Sequence, residues 1–116
     1  MKNIQIKRIY DVPAKDDGYR VLVDRLWPRG VLKEDAQLND WLKEIAPSTQ
    51  LRKWFDHKPA KFEVFTEKYT DELEDKFEIL RELKNNTRTK TLTLLYGAKD
   101  TEHNQAVVLK TVLENL

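Results

Sequence analysis

The sequence contains no cysteine, which excludes disulfides, thiolate metal sites and cysteine nucleophiles together. Its three glycines, Gly18, Gly30 and Gly97, stand far apart. Neither a Gly-x-Gly-x-x-Gly turn nor a phosphate loop ending in Gly-Lys-Ser/Thr can be built from them, so the usual dinucleotide and Walker-type sites are absent. The two histidines, His57 and His103, are too widely separated for H-x-x-x-H or H-E-x-x-H spacing, and no metal site is expected. No Gly-x-Ser-x-Gly elbow occurs either, which removes a hydrolase triad of that type. An excess of one charge is also missing: 21 basic residues face 20 acidic ones, for a net charge of +1. A general polyanion binder carries a large basic excess, so nucleic acid is a disfavoured partner. Finally, no segment approaches the roughly 18 apolar residues of a membrane span, and the start lacks the apolar core of a signal peptide. The expectation is a cytoplasmic protein with no membrane partner.

What is present fits one domain: 116 residues, 40% of them hydrophobic, enough for a core. Ile4, Ile6 and Ile9 sit in an alternating stretch that predicts a strand over 4–9. The aperiodic run 11–18, with Pro13 and Gly18, reads as a loop. A nearly continuous apolar centre then predicts a second, doubly covered strand over 20–26, closed by Trp27-Pro28-Arg29-Gly30. Leu38, Trp41, Leu42 and Ile45 have gaps of three and four, the spacing of one helical stripe, and Ala46-Pro47 ends it. Ser48 or Thr49 can cap a further short helix carrying Leu51, Trp54 and Phe55. From Pro59 the apolar positions Phe62, Phe65, Tyr69, Leu73, Phe77, Leu80 and Leu83 stay on one stripe and predict a long helix over 59–84. At about 1.5 Å per residue it would measure about 39 Å, which invites a kink near Thr70-Asp71. Asn85-Asn86 can supply its end cap. A strand over 91–96 and a last helix, capped by Asp100 or Thr101, complete the chain.

This order predicts an α/β fold: a small Rossmann-like layered domain with a short, mainly parallel sheet of about three or four strands. Helices pack on it, including the long one near 59–84. Trp41, Trp54, Phe62, Phe65 and Tyr69 are expected to be buried, fixing those helices to the sheet. The charged residues from Glu67 to Lys84 read as the wet face of the long helix.

In open parallel sheets ligands bind beyond the carboxyl ends of the strands. That rule selects Tyr10 and Asp11 after the first strand, and Arg25, Trp27, Arg29 and Gly30 after the second. After the strand at 91–96 it selects Tyr96, Lys99, Asp100, His103 and Asn104. Guanidinium forks and the amino end of the last helix would make an anion site there. The competing structural reading ties Arg25 and Asp24 into ion pairs that hold loops. His57, in Asp56-His57-Lys58-Pro59, reads as a link between two helices.

Four strings resemble the signature segments of the YeaO-like proteins, small bacterial members of a wider domain-of-unknown-function family. They are Asp24-Arg25-Leu26-Trp27-Pro28-Arg29-Gly30, the run from Ala46 to Phe55, Leu94-Leu95-Tyr96-Gly97-Ala98-Lys99-Asp100, and Asn104-Gln105-Ala106-Val107-Val108-Leu109. The resemblance spans nearly the whole chain and implies Rossmann-like layering and a bacterial cytoplasmic setting. It implies no established activity. Longer relatives carry cysteines around the last strand and helix, where this sequence has Tyr96 and Asn104, so thiol chemistry does not carry over.

Two functions follow from different classes. The first is a small enzyme or ligand-binding protein acting on a phosphorylated or carboxylated metabolite. Arg25, Arg29 and Lys99 would neutralise charge, Gly30, Tyr96 and Asn104 would contact the ligand, and Asp100 or His103 would serve as acid or base. No cofactor is assigned. The second is a non-catalytic interaction module, its partner another protein or a second copy of itself. If the long helix overhangs the sheet, Phe77, Leu80 and Leu83 at its far end would be the docking patch.

Overall fold

In the computed structural model, which describes residues 3–116, four parallel strands form one sheet in the order β1-β4-β2-β3. They are β1 (Asn3–Arg8), β2 (Tyr19–Leu22), β3 (Asp40–Trp41) and β4 (Thr91–Tyr96). The helices are α1 (Lys33–Ala36), α2 (Thr49–Phe55), α3 (Phe62–Leu73), α4 (Phe77–Asn86) and α5 (Gln105–Glu114). The alternation read in the sequence sets the layers. Ile4 pairs with Leu92 and Ile6 with Leu94, and these side chains meet Phe65, Tyr69, Leu80 and Leu109 in the main core on the helical face. One residue out of step, Leu22 and Leu95 point to the opposite face and join Ile9 and Ala36 in a smaller core. Both faces of β2 and β4 are thus covered, as their nearly continuous apolar runs require.

The helical stripe expected at Leu38, Trp41, Leu42 and Ile45 does not form. Instead α1 stops after one turn, because Gln37 turns left-handed at φ 47°, and Arg20 donates to the carbonyls of Ala36 and Gln37 at its end. The unpaired edge of β2 then captures the chain. Asn39 exchanges two bonds with Arg20, one from each partner's N–H, and the Leu42 N–H donates to Leu22 O. The result is β3, so Leu38 and Trp41 pack on the smaller core while Leu42 and Ile45 pack on the main one. Gaps of three and four mimicked one helical face where the residues divide between two sheet faces.

Helical structure runs from 59 to 86, a 28-residue stretch. Its break falls at the tight turn Glu74–Lys76, later than Thr70-Asp71, with Lys76 at φ −114°, ψ 7°. Thr87, not Asn85-Asn86, closes the end, its hydroxyl donating to Leu83 O. Leu80 and Leu83 are buried and Phe77 half-buried, so the far end does not offer the apolar patch that overhang would create. Phe65 and Tyr69 are buried, and Trp41 and Phe62 half-buried. Trp54 departs from the expected set: it stays 37% exposed, with the ammonium groups of Lys61 and Lys68 at 4.9 and 5.3 Å from its ring centroid. Among the described residues no helix is long and apolar enough to cross a membrane.

Candidate functional site

The site begins where the β2–β4 ladder ends. The N–H of Val23 still donates to Leu95 O at 3.0 Å. A parallel ladder would next send the Gly97 N–H to the Val23 carbonyl. It goes instead to Oδ2 of Asp24 at 2.9 Å, and the strands part. The close approach suits glycine, because a Cβ on residue 97 would stand 2.8 Å from that oxygen and force the carboxylate to shift. The other carboxylate oxygen accepts from Nε2 of Gln105 on α5, and Trp41 Nε1 donates to the Asp24 carbonyl at 2.7 Å. Asp24 thereby joins the exits of two strands to the start of a helix. Burial pushes its carboxyl up to about pH 6, against the opposing hydrogen bonds from Gly97 and Gln105 and the charges of Arg52 and His57.

Around this joint opens a cleft of about 1030 Å³. Arg25, Lys99, Asp100, His103 and Asn104 all line it, so the exits of β2 and β4 do converge. Their side chains are not equally available. Arg25 donates from Nε to Pro47 O at 2.9 Å and from Nη2 to Ala46 O at 3.2 Å, which uses much of its fork to hold the segment before α2. Carbonyls, not ion pairs, hold it. Asn104 is the cap of α5, in place of Asp100 or Thr101: its Oδ1 accepts from the amides of Ala106 and Val107, and its Nδ2 donates to Asp100 O. Those helix amides are therefore already partnered. Tyr96 is buried in the main core. Arg29 and Gly30 are exposed and outside the lining, with Arg29 O accepting from the Tyr10 hydroxyl.

Asp100 and His103 form a pair, with Nδ1 to Oδ2 at 2.9 Å. The same carboxylate accepts from the amides of Glu102 and His103, which hold its titration below the usual range, the Glu102 bond foremost. Such a carboxylate fixes the orientation of an imidazole and leaves Nε2 to act. The ring also meets Phe62 edge to face, at 5.2 Å between centroids.

Sequence reasoning missed Arg52, Lys53, His57, Gln105 and the role of Asp24. Arg52 and Lys53 reach the cleft from α2, which Ser48 starts by accepting from Leu51 N–H, and which Leu51 and Phe55 pin to the core. Nothing local marks that outer face as facing the strand exits. Asp24 had a signal, since it lies two residues beyond the end of β2 and obeys the rule that selected Arg25. Asp56 and His57 sit consecutively at φ 49° and 53°, a left-handed pair without glycine that turns the chain from α2 into the long helical run beside the cleft. Among the described residues no carboxylate lies within 4.0 Å of the Arg52, Lys53 or Lys99 head groups.

An α/β domain with a parallel sheet and a polar cleft at its carboxyl edge is the class these observations define. The family model that matches, over residues 3–116, is the inactive DUF488-N3 subclade, and the chain belongs to that family. It is 47% identical over 114 residues to the uncharacterised protein YeaO of Escherichia coli K12, covering 98% of this chain and 99% of that protein. It is 37% identical over 110 residues to the uncharacterised protein Mb3100c of Mycobacterium bovis, covering 95% and 92% of the two chains. No solved structure matches.

Proposed function

We propose that this protein binds a small anionic metabolite, phosphorylated or carboxylated, in the cleft at the carboxyl ends of β2 and β4. One observation carries the reading: Arg52, Lys53 and Lys99 line one cleft while none has a carboxylate within 4.0 Å. The lining also holds Asp24, Asp56 and Asp100, but Arg25, Arg52, Lys53 and Lys99 outnumber them and Asp100 is already paired with His103, and that surplus of cations on a concave surface favours an oxyanion. Arg25 contributes charge from a fixed position, and the Asp100–His103 pair adds a polar rim. The family's description as an inactive subclade supports binding over turnover. Burial of Leu80 and Leu83 weighs against docking through the long helix, whose exposed large apolar side chain among the described residues is Val64.

The test is thermal unfolding in phosphate or sulfate against chloride at matched ionic strength. A ligand that binds only the folded state stabilises it by RT ln(1 + [L]/Kd), so the oxyanions should raise Tm saturably. Arg52→Ala and Lys99→Ala should each remove most of the difference. Equal shifts in all three salts would overturn the proposal.

A further inference from the structure

The cleft also has an uncharged wall, and that wall describes the organic part of a ligand. Tyr10 is 46% exposed, yet its ring is held at two points. The hydroxyl donates to Arg29 O at 2.9 Å, and the Arg8 guanidinium carbon lies 4.9 Å from the ring centroid. Leu26, 61% exposed, lines the cleft with Tyr10, Trp27 and Pro28. A large aromatic ring that stays partly exposed while its hydroxyl and one face are held is a favourable surface for a flat partner, because less rotamer entropy is left to lose on contact.

The ring and the half-buried Asp24 carboxyl are neighbours. A Cβ built on Gly97 would lie 4.0 Å from Cε2 of Tyr10, 3.8 Å from Cβ of Pro28 and 2.8 Å from Oδ2 of Asp24, so all three surround one backbone position. Each Asp24 oxygen accepts one bond, from Gly97 or Gln105, and keeps a second lone pair. A planar body against Tyr10 therefore has a carboxylate acceptor close by. Size points the same way: the cleft, at about 1030 Å³, is at the upper end of the roughly 300–1,000 Å³ typical of organic-ligand sites, and a bare oxyanion would leave most of it empty.

We infer that the ligand is a phosphorylated amino-bearing heteroaromatic, the chemistry of a nucleoside monophosphate. Its ring stacks on Tyr10 beside Leu26, its exocyclic amino group donates to Asp24, and its phosphate meets Arg52, Lys53 and Lys99. The inference rests on the anion site proposed above. It needs no glycine-rich loop, since side chains take the place of backbone amides at the phosphate.

Isothermal titration of the full chain with inorganic phosphate, AMP and CMP tests it. AMP or CMP should bind at least about tenfold more tightly than phosphate, the order that one base–aromatic stack supplies. Tyr10→Ala should remove that advantage and leave phosphate affinity unchanged, Tyr10→Phe, which keeps the ring but loses the bond to Arg29 O, should retain only part of it, and Arg52→Ala should weaken nucleotide and phosphate alike. Tyr10 is at the surface, and an unchanged circular dichroism spectrum confirms that its variants fold. If phosphate binds through Arg52 but neither nucleotide binds more tightly, or if Tyr10→Ala weakens all three equally, this inference is overturned while the anion site stands. If neither phosphate nor nucleotide binds, both fall.

Discussion

Replacing Asp24 by asparagine should make the protein more stable at neutral and alkaline pH. The folded carboxyl titrates near 6 against an ordinary 3.8. Between those values the folded state holds a proton that the unfolded chain has released, so stability falls as pH rises through the window. Above it the full cost of an ionised, desolvated carboxylate is in force. Two pKa units at 1.36 kcal/mol each make that cost about 3 kcal/mol. Asparagine keeps the shape: its Oδ1 can accept from Gly97 N–H, and Gln105 can turn its amide to accept from the new Nδ2, so both bonds survive without charge. Urea unfolding of both proteins at pH 8, 6, 5 and 4 reads the difference. Asp24→Asn should lead by about 3 kcal/mol at pH 8, and the gap should close towards zero at pH 4. Taking the difference cancels the opposite contribution of carboxylates with lowered pKa, such as Asp17, whose burial is outweighed by Ala14, Lys7 and Arg20. A variant no more stable than wild type at pH 8, or a gap that persists at pH 4, would refute the reasoning. A neutral-pH cost of this size at a cleft is the kind of instability that binding sites retain.

Gly97→Ala should destabilise by about 1–3 kcal/mol, because the new methyl meets the Asp24 carboxylate at 2.8 Å; combining it with Asp24→Ala should recover part of the loss in a double-mutant cycle. Sulfate affinity should rise as pH falls through about 6, since protonating Asp24 removes a negative charge from the cleft. Asp24→Asn should flatten that pH dependence, and an unaltered profile in the variant would refute the role given to Asp24.

Where side-chain periodicity and burial coincide, the sequence is sufficient: Ile4 and Ile6, or Leu92 and Leu94, alternate because one face of each strand meets the helices. The failures have a common origin in competition between local and distant partners. Leu38 to Ile45 carries helical spacing, yet Arg20, far back in the chain, offers Asn39 two hydrogen bonds that a helix cannot supply there. Asp100 and Thr101 are good caps, but Asn104 reaches both amides of α5 and the carbonyl of Asp100 together. At the cleft, the strand-exit rule located Arg25, Lys99, Asp100 and His103, since strand ends are legible from composition. It was blind to Arg52, Lys53 and His57, whose position depends on how α2 packs, and no property of those residues encodes that packing.

The strand order β1-β4-β2-β3 has a consequence for how the chain acquires its structure. The first two long strands to be synthesised never touch each other: β1 pairs only with β4, from Asn3 with Thr91 to Arg8 with Tyr96, and β4 also supplies the inner partner of β2. A nascent chain can form α2 and the long helical run early, but its sheet has no middle until residues 91–96 leave the ribosome. Loop closure across nearly the whole length then precedes the contacts that reward it, which slows folding and leaves the unpaired β1 and β2 edges open to other chains meanwhile. The strand that positions Gly97 against Asp24 is thus also the one whose late arrival completes the sheet.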